Sequence, residues 1–147
     1  MKEQQTVQTS LLGIAKKART DKRYRFRNLY RELNEELLRD SWRLLRKEAA
    51  LGVDRVSAAE YEANLEENIH QLVERLKRKR YRAKLVRRHY IPKGEGQMRA
   101  LGIPATEDKL LQLAVKRLVE AICTPGSVRG LSGNRQSYRD LRDEELP

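Results

Sequence analysis

Residues Tyr90-Ile91-Pro92-Lys93-Gly94-Glu95-Gly96-Gln97-Met98-Arg99-Ala100-Leu101-Gly102-Ile103-Pro104 form two short strand-like runs around a Gly-x-Gly turn. Such a pattern reads as a β-hairpin over about 85–103. Pro92 and Pro104 suit strand ends, where no ladder donor is needed. Side chains alternate along a strand, so Arg99, Leu101 and Ile103 share one face and Met98, Ala100 and Gly102 the other. Gly102 has no side chain and leaves room for backbone or ligand. Lys93 and Arg99 place one cation on each side of the turn. From the residues alone they read as edge charges that discourage strand pairing.

A chain of 147 residues predicts one domain, and 36% charged with 5% aromatic residues predicts a modest, helix-built core. Lys plus Arg total 32 against 21 Asp plus Glu, a formal charge of +11, which is the footprint of a polyanion binder. Nucleic acid is the expected partner, with a solvated, highly charged helical surface as the bland alternative. No cationic helix carries a clear aromatic insertion face, so a membrane surface is not expected as a partner. Cys123 is the one cysteine in the sequence, which excludes an intrachain disulfide or Cys-based zinc site. That usage fits a reducing cytoplasm. The apolar run 11–14 is too short for a signal or membrane span.

The first ten residues are polar and are expected to be disordered, within a basic flexible arm over 1–25. Around the arm's end, Arg23, Arg25 and Arg27 alternate with Tyr24 and Phe26, and Tyr30 follows. Cations there can neutralise phosphates and the rings can stack on unpaired bases, or Phe26 and Tyr30 can anchor the arm to the next helix; both readings stand. Periodic apolar residues predict a helix from Asn28 to about Leu51, stopped by Gly52 acting as a positive-φ cap. Ser57 and Glu60 form a capping-box pattern ahead of a second helix with Tyr61, Leu65, Ile69, Leu72 and Leu76 on one face. His70 reads as a surface residue.

That second helix begins acidic and ends basic, which its dipole explains in part. The dipole does not explain why Lys77, Arg78, Lys79, Arg80, Arg82, Lys84, Arg87 and Arg88 continue as a run with no acid between Arg75 and Arg88. A phosphate track is the favoured reading. Thr106 is expected to cap a third helix to Ile122 with a wide apolar face. From Cys123 to Pro147 the composition breaks into a divergent tail, expected to be disordered with at most a short helix over 138–146.

Several of these words recur together in a known family. Gly52-Val53-Asp54, the helix ending Lys79-Arg80-Tyr81-Arg82, Tyr90-Ile91-Pro92-Lys93, Arg99-Ala100-Leu101-Gly102-Ile103-Pro104 and Glu107-Asp108-Lys109-Leu110-Leu111-Gln112 resemble the fingers region of group II intron reverse transcriptase/maturases over about 26–122. The resemblance implies an α+β, mainly helical fold in which basic helices accompany the hairpin. It implies that Lys93 and Arg99 lie near the incoming nucleotide's triphosphate or the template backbone. It also implies RNA, intron or template, as partner, with DNA as a second candidate. Two departures stand out. Arg55 replaces a usual glycine, so a positive φ there would cost on the order of 1 kcal/mol, and Ala100 replaces a usual proline.

The family's catalytic aspartates, including a Tyr-x-Asp-Asp word, have no counterpart here, so no catalytic or metal-binding residue is assigned. Magnesium belongs to the full-length family and no cofactor is expected on this chain. Gly94-Glu95-Gly96 alone is weak evidence for a phosphate loop. The loss of family pattern after Ile122 leads to the expectation of a truncated reading frame, with a palm fragment as a candidate partner. The alternatives are a standalone basic RNA- or DNA-binding module and a non-functional remnant.

Overall fold

A computed structural model describes residues 2–123 of the chain, with side chains from residue 11 onward; the expectations for the tail lie outside the described residues. The described residues divide into two compact units, residues 2–27 with 116–123 and residues 28–115. Among the described residues there are five α-helices, one short 3-10 segment and one two-stranded antiparallel sheet, a mixed helical and β composition. No helix among them is long and apolar enough to cross a membrane.

In the first unit, α1 runs Lys2–Thr20, where the polar sequence of 1–10 predicts disorder. The composition there is polar but free of proline, and Gln, Glu and Lys tolerate a helix well. Thr20 Oγ1 bonds back to Lys16 O at 3.0 Å and Asp21 N to Lys17 O at 3.0 Å, closing the helix end. The chain then extends through Tyr24 to Arg27.

The second unit holds most of the described core. A left-handed Asn28 (φ 57°) leads into the 3-10 segment Leu29–Glu32. Helix α2 is Glu35–Leu44, capped by Asn34 Oδ1 accepting from Leu37 N at 2.9 Å. The single helix predicted to Leu51 therefore starts later and ends earlier. Leu45 turns extended (ψ 134°) so that Lys47 can return to Glu62 Oε1 at 2.7 Å and lie 5.5 Å over the Trp42 ring. Trp42 Nε1 donates to the same carboxylate at 3.1 Å, and these tertiary contacts override the helix propensity of 45–51.

The capping box at Ser57 forms with both of its bonds. The helix behind it is two pieces, α3 (Ala58–Ala63) and α4 (Leu65–Lys77). They part at Asn64, and Asn68 Nδ2 satisfies the carbonyl of Tyr61 at 2.9 Å. Helix α2 packs on α4. Leu37, Leu38, Trp42, Ile69, Leu72, Val73 and Leu76 are buried, each worth roughly 1.5–3 kcal/mol of removed apolar surface. Tyr30 Oη donates to Leu76 O at 2.5 Å, so this ring serves as an anchor.

Helix α4 ends in a left-handed Lys79 (φ 55°). Arg80 N reaches Arg75 O at 2.9 Å and Lys79 N reaches Leu76 O at 3.0 Å, the double bond of a Schellman stop with lysine where glycine is usual. After a linker come β1 (Arg87–Gly94) and β2 (Gln97–Ile103). Glu95 (φ 50°) and Gly96 (φ 73°) make the two-residue turn, and positive φ at both positions is what a tight hairpin requires. Helix α5 is Thr106–Ile122, and the division between the units falls within it.

Two residues at the hairpin's base are used differently from expectation. Gly52 does not take a positive φ. A Cβ on it would lie 2.5 Å from Ala105 Cα and 2.8 Å from Pro104 O, so it is glycine because the chain leaving β2 crosses it in contact. Thr106 donates its Oγ1 to Val56 O at 2.7 Å rather than capping α5. Arg55 does take the positive φ that its place in the turn predicts, 56°, a conformation that disfavours side-chain-bearing residues.

Candidate nucleic-acid interface

The register pairs Arg87 with Ile103, Arg88 with Gly102, His89 with Leu101, Tyr90 with Ala100, Ile91 with Arg99 and Pro92 with Met98. Opposed residues share a face in an antiparallel pair. One face therefore carries Arg87, His89, Ile91, Arg99, Leu101 and Ile103, and the other carries Arg88, Tyr90, Pro92, Met98, Ala100 and Gly102. The separation of Arg99, Leu101 and Ile103 from Met98, Ala100 and Gly102 agrees with the alternation read from sequence. Lys93 sits in a β-bulge between Pro92 and Gly94. A bulge re-aims the side chain it holds, which periodicity does not reveal. The gap at Gly102 is occupied by the chain itself, because Val86 Cγ2 lies 3.0 Å from where a Cβ would stand.

The linker that brings the basic run to the hairpin is fastened by acids from elsewhere in the sequence. Asp108, 4% exposed, accepts from Tyr81 Oη and, at 3.0 Å, from Lys84 N. Burial, followed by the hydrogen bond to Asp108, pushes the Tyr81 phenol up. Glu107 accepts from Arg75 Nη2 at 2.7 Å and Tyr61 Oη at 3.3 Å, and burial followed by the Glu107 charge pushes Tyr61 up as well. Lys84 Nζ pairs with Asp54 Oδ2 at 2.8 Å. Burial alone would raise the Asp54 carboxyl, but the Lys84 ammonium and the Val56 N–H outweigh it and hold it below the usual range. Burial, and after it the Arg87 charge, lower the Lys109 ammonium.

The run without acids in sequence is thus partly neutralised in space. Lys84 is committed to Asp54, and Lys77 and Arg78 share Glu74 at 3.6 and 3.5 Å. The latter two are loose surface pairs worth no more than about 1 kcal/mol. Lys79, Arg80, Arg82, Arg87, Arg88, Lys93 and Arg99 are exposed and enter no salt bridge among the described residues. Glu95 at the turn is the one acid in the hairpin.

The arm residues belong to the other unit. Arg23, Tyr24, Arg25 and Arg27, with Asp21, line an open depression of about 470 Å³. Asp21 Oδ1 accepts from Arg23 N at 3.1 Å. Tyr24 and Phe26 meet edge to face with centroids 4.9 Å apart, and Lys17 Nζ lies 4.6 Å from the Tyr24 centroid. One edge of the Tyr24 environment is thereby taken by the protein's own groups.

His70 is an exposed residue, 2.8 Å from Glu35 Oε1 by its Nδ1, and that contact raises its pKa. Among the described residues no group of three or more His, Cys, Asp or Glu could hold a metal ion. Asp54 and Asp108 are engaged by Lys84 and Tyr81. Sequence reasoning missed the exposed Tyr90 and Met98 face and the acids that fold onto the run. The alternation at Tyr90 carried a signal for the first, but nothing local carried one for the second.

No protein-family model matches the chain. Part of it is similar to curated proteins. The group II intron-encoded protein LtrA of Lactococcus lactis subsp. cremoris is 44% identical over 61 residues, 41% of this chain and 10% of that protein. Protein YkfC of Escherichia coli strain K12 is 38% identical over 71 residues, 48% of this chain and 19% of that protein. The chain thus spans a fifth or less of the length of the curated relatives it matches.

Proposed function

We propose that the linker and hairpin, residues 77–103, are a fingers-like nucleic-acid-binding element of the group II intron reverse transcriptase/maturase type, which holds the phosphate backbone of intron or template RNA. The observation that carries this reading is the set of seven exposed cations from Lys79 to Arg99 that enter no salt bridge among the described residues. Cations already neutralised by neighbours release few counterions from a polyanion, whereas unpaired ones release about 0.7 per phosphate on a single strand. The partial similarity to a group II intron-encoded protein favours RNA over other polyanions. On the same reading Lys93 and Arg99 contact the template or the incoming nucleotide's phosphates, and Arg23, Arg25 and Arg27 of the arm contact further phosphates. The polymerase activity of the family would need carboxylates that the described residues do not supply.

The test is RNA binding by the whole chain as a function of salt. Arg82→Ala, Arg87→Ala and Arg99→Ala together should flatten the plot of log K against log salt by about two units. Lys47→Ala, which removes a cation paired with Glu62, should leave the slope unchanged. Binding that ignores salt, or equal slopes for the two variants, overturns the reading.

A further inference from the structure

The hairpin face away from Arg87 and Arg99 is apolar yet open to solvent. Tyr90 is 53% exposed, Met98 57% and Val86 57%, and Pro92 and Ala100 beside them are exposed as well. Across the ladder from Tyr90 stands Ala100, too short to cover a phenol ring. Arg88 lies on the same face opposite Gly102, exposed and in no salt bridge among the described residues. We propose that this face is a stacking platform for an unpaired nucleic-acid strand, with a base on the Tyr90 ring beside Met98 and the adjoining phosphate at Arg88.

The inference rests on the nucleic-acid reading of the same hairpin and narrows it to unpaired strands. A duplex presents backbone and 2′-hydroxyls and keeps its bases stacked inside, so it would leave Tyr90, Met98 and Val86 against water. An unpaired strand offers both chemistries the face displays, a π surface for the ring and a phosphate for the arginine. A second copy of the chain fits less well, because a self-contact through this face would bring Arg88 toward its own equivalent, and like charges across an interface are unfavourable.

The whole chain is titrated with a twelve-nucleotide rU strand, a dT strand, an rU strand abasic throughout and a twelve-base-pair RNA duplex, each over a series of salt concentrations. Tyr90→Ala should weaken both base-bearing strands by between about fivefold and a hundredfold, the loss measured when one stacking ring is removed. It should change the abasic strand and the duplex less than twofold, with the salt slope unaltered. Tyr90→Phe should restore binding, and Tyr90→Trp should give fluorescence that the rU strand quenches. If Tyr90→Ala weakens neither base-bearing strand while binding stays salt-dependent, stacking is overturned and phosphate binding stands. An absence of salt-dependent binding overturns both. A concentration-dependent dimer that Tyr90→Ala dissolves also overturns stacking, because the face would then be a self-contact.

Discussion

The helical layer of residues 28–77 and the hairpin that follows it are both rich in arginine and lysine, but they dispose of the charge differently. In the helical layer four of the eight Lys and Arg side chains, Arg39, Lys47, Arg75 and Lys77, reach an acid. Arg39 forks onto Glu66 at 2.8 and 2.6 Å, Lys47 reaches Glu62 and Arg75 reaches Glu107. In the hairpin Arg87, Arg88, Lys93 and Arg99 meet none among the described residues. The first region uses charge to fix its own geometry over a buried apolar seam. The second leaves its charge to solvent. A count of basic residues treats the two alike, and only the second is available to a phosphate at little cost.

The contrast is sharpest in stability. Leu38 is 0% exposed and Met98 57%. Leu38→Ala should therefore lower unfolding free energy by about 2–5 kcal/mol, and Met98→Ala by less than about 0.5 kcal/mol, measured by urea denaturation. Equal losses would mean that the hairpin face is covered. The next largest effects should come from the two fastenings between the regions. Gly52→Ala drives a methyl into the backbone of Pro104 and Ala105 and should cost about 1–3 kcal/mol. Asp108→Ala leaves the Tyr81 hydroxyl and the Lys84 N–H without their acceptor and should cost a similar 1–3 kcal/mol. It should also speed amide exchange at Lys84 and along β1, while α4 stays protected.

The smallest effect belongs to the exposed pair His70 and Glu35. The contact raises the His70 pKa, so its stabilisation is fully present below the ordinary histidine value near 6.5 and fades as pH rises through the higher folded-state value. Thermal midpoints measured from pH 5 to pH 8 should decline slightly more for the unaltered chain than for His70→Gln. Identical profiles would show that the pair contributes nothing.

Much of the fold follows from local chemistry. Ser57 and Glu60 announce their capping box, Gly94 and Gly96 their turn, and the 3.6-residue stripe through Ile69, Leu72 and Leu76 a buried helix face. Apart from α1, where local helix tolerance is underrated, the misreadings share a cause. Residues 45–51 favour a helix locally, but Lys47 is held over Trp42 and on Glu62. Gly52 looked like a positive-φ stop, but it is the spot where the chain from β2 crosses. The basic run from Arg75 to Arg88 reads as uniform, but Asp54, Glu74 and Glu107 divide it into committed and available cations.

The sequence by itself determined the hairpin, the capping box, most helix faces and the large positive charge, because propensity, capping and side-chain alternation act over a few neighbouring residues. The tertiary structure alone decided which charges remain for a partner and which apolar side chains stay in water. Lys84 lies 30 residues from Asp54, and Tyr81 lies 27 from Asp108. Pairings at such separations depend on how the helices and the hairpin base come together, and no local pattern encodes that.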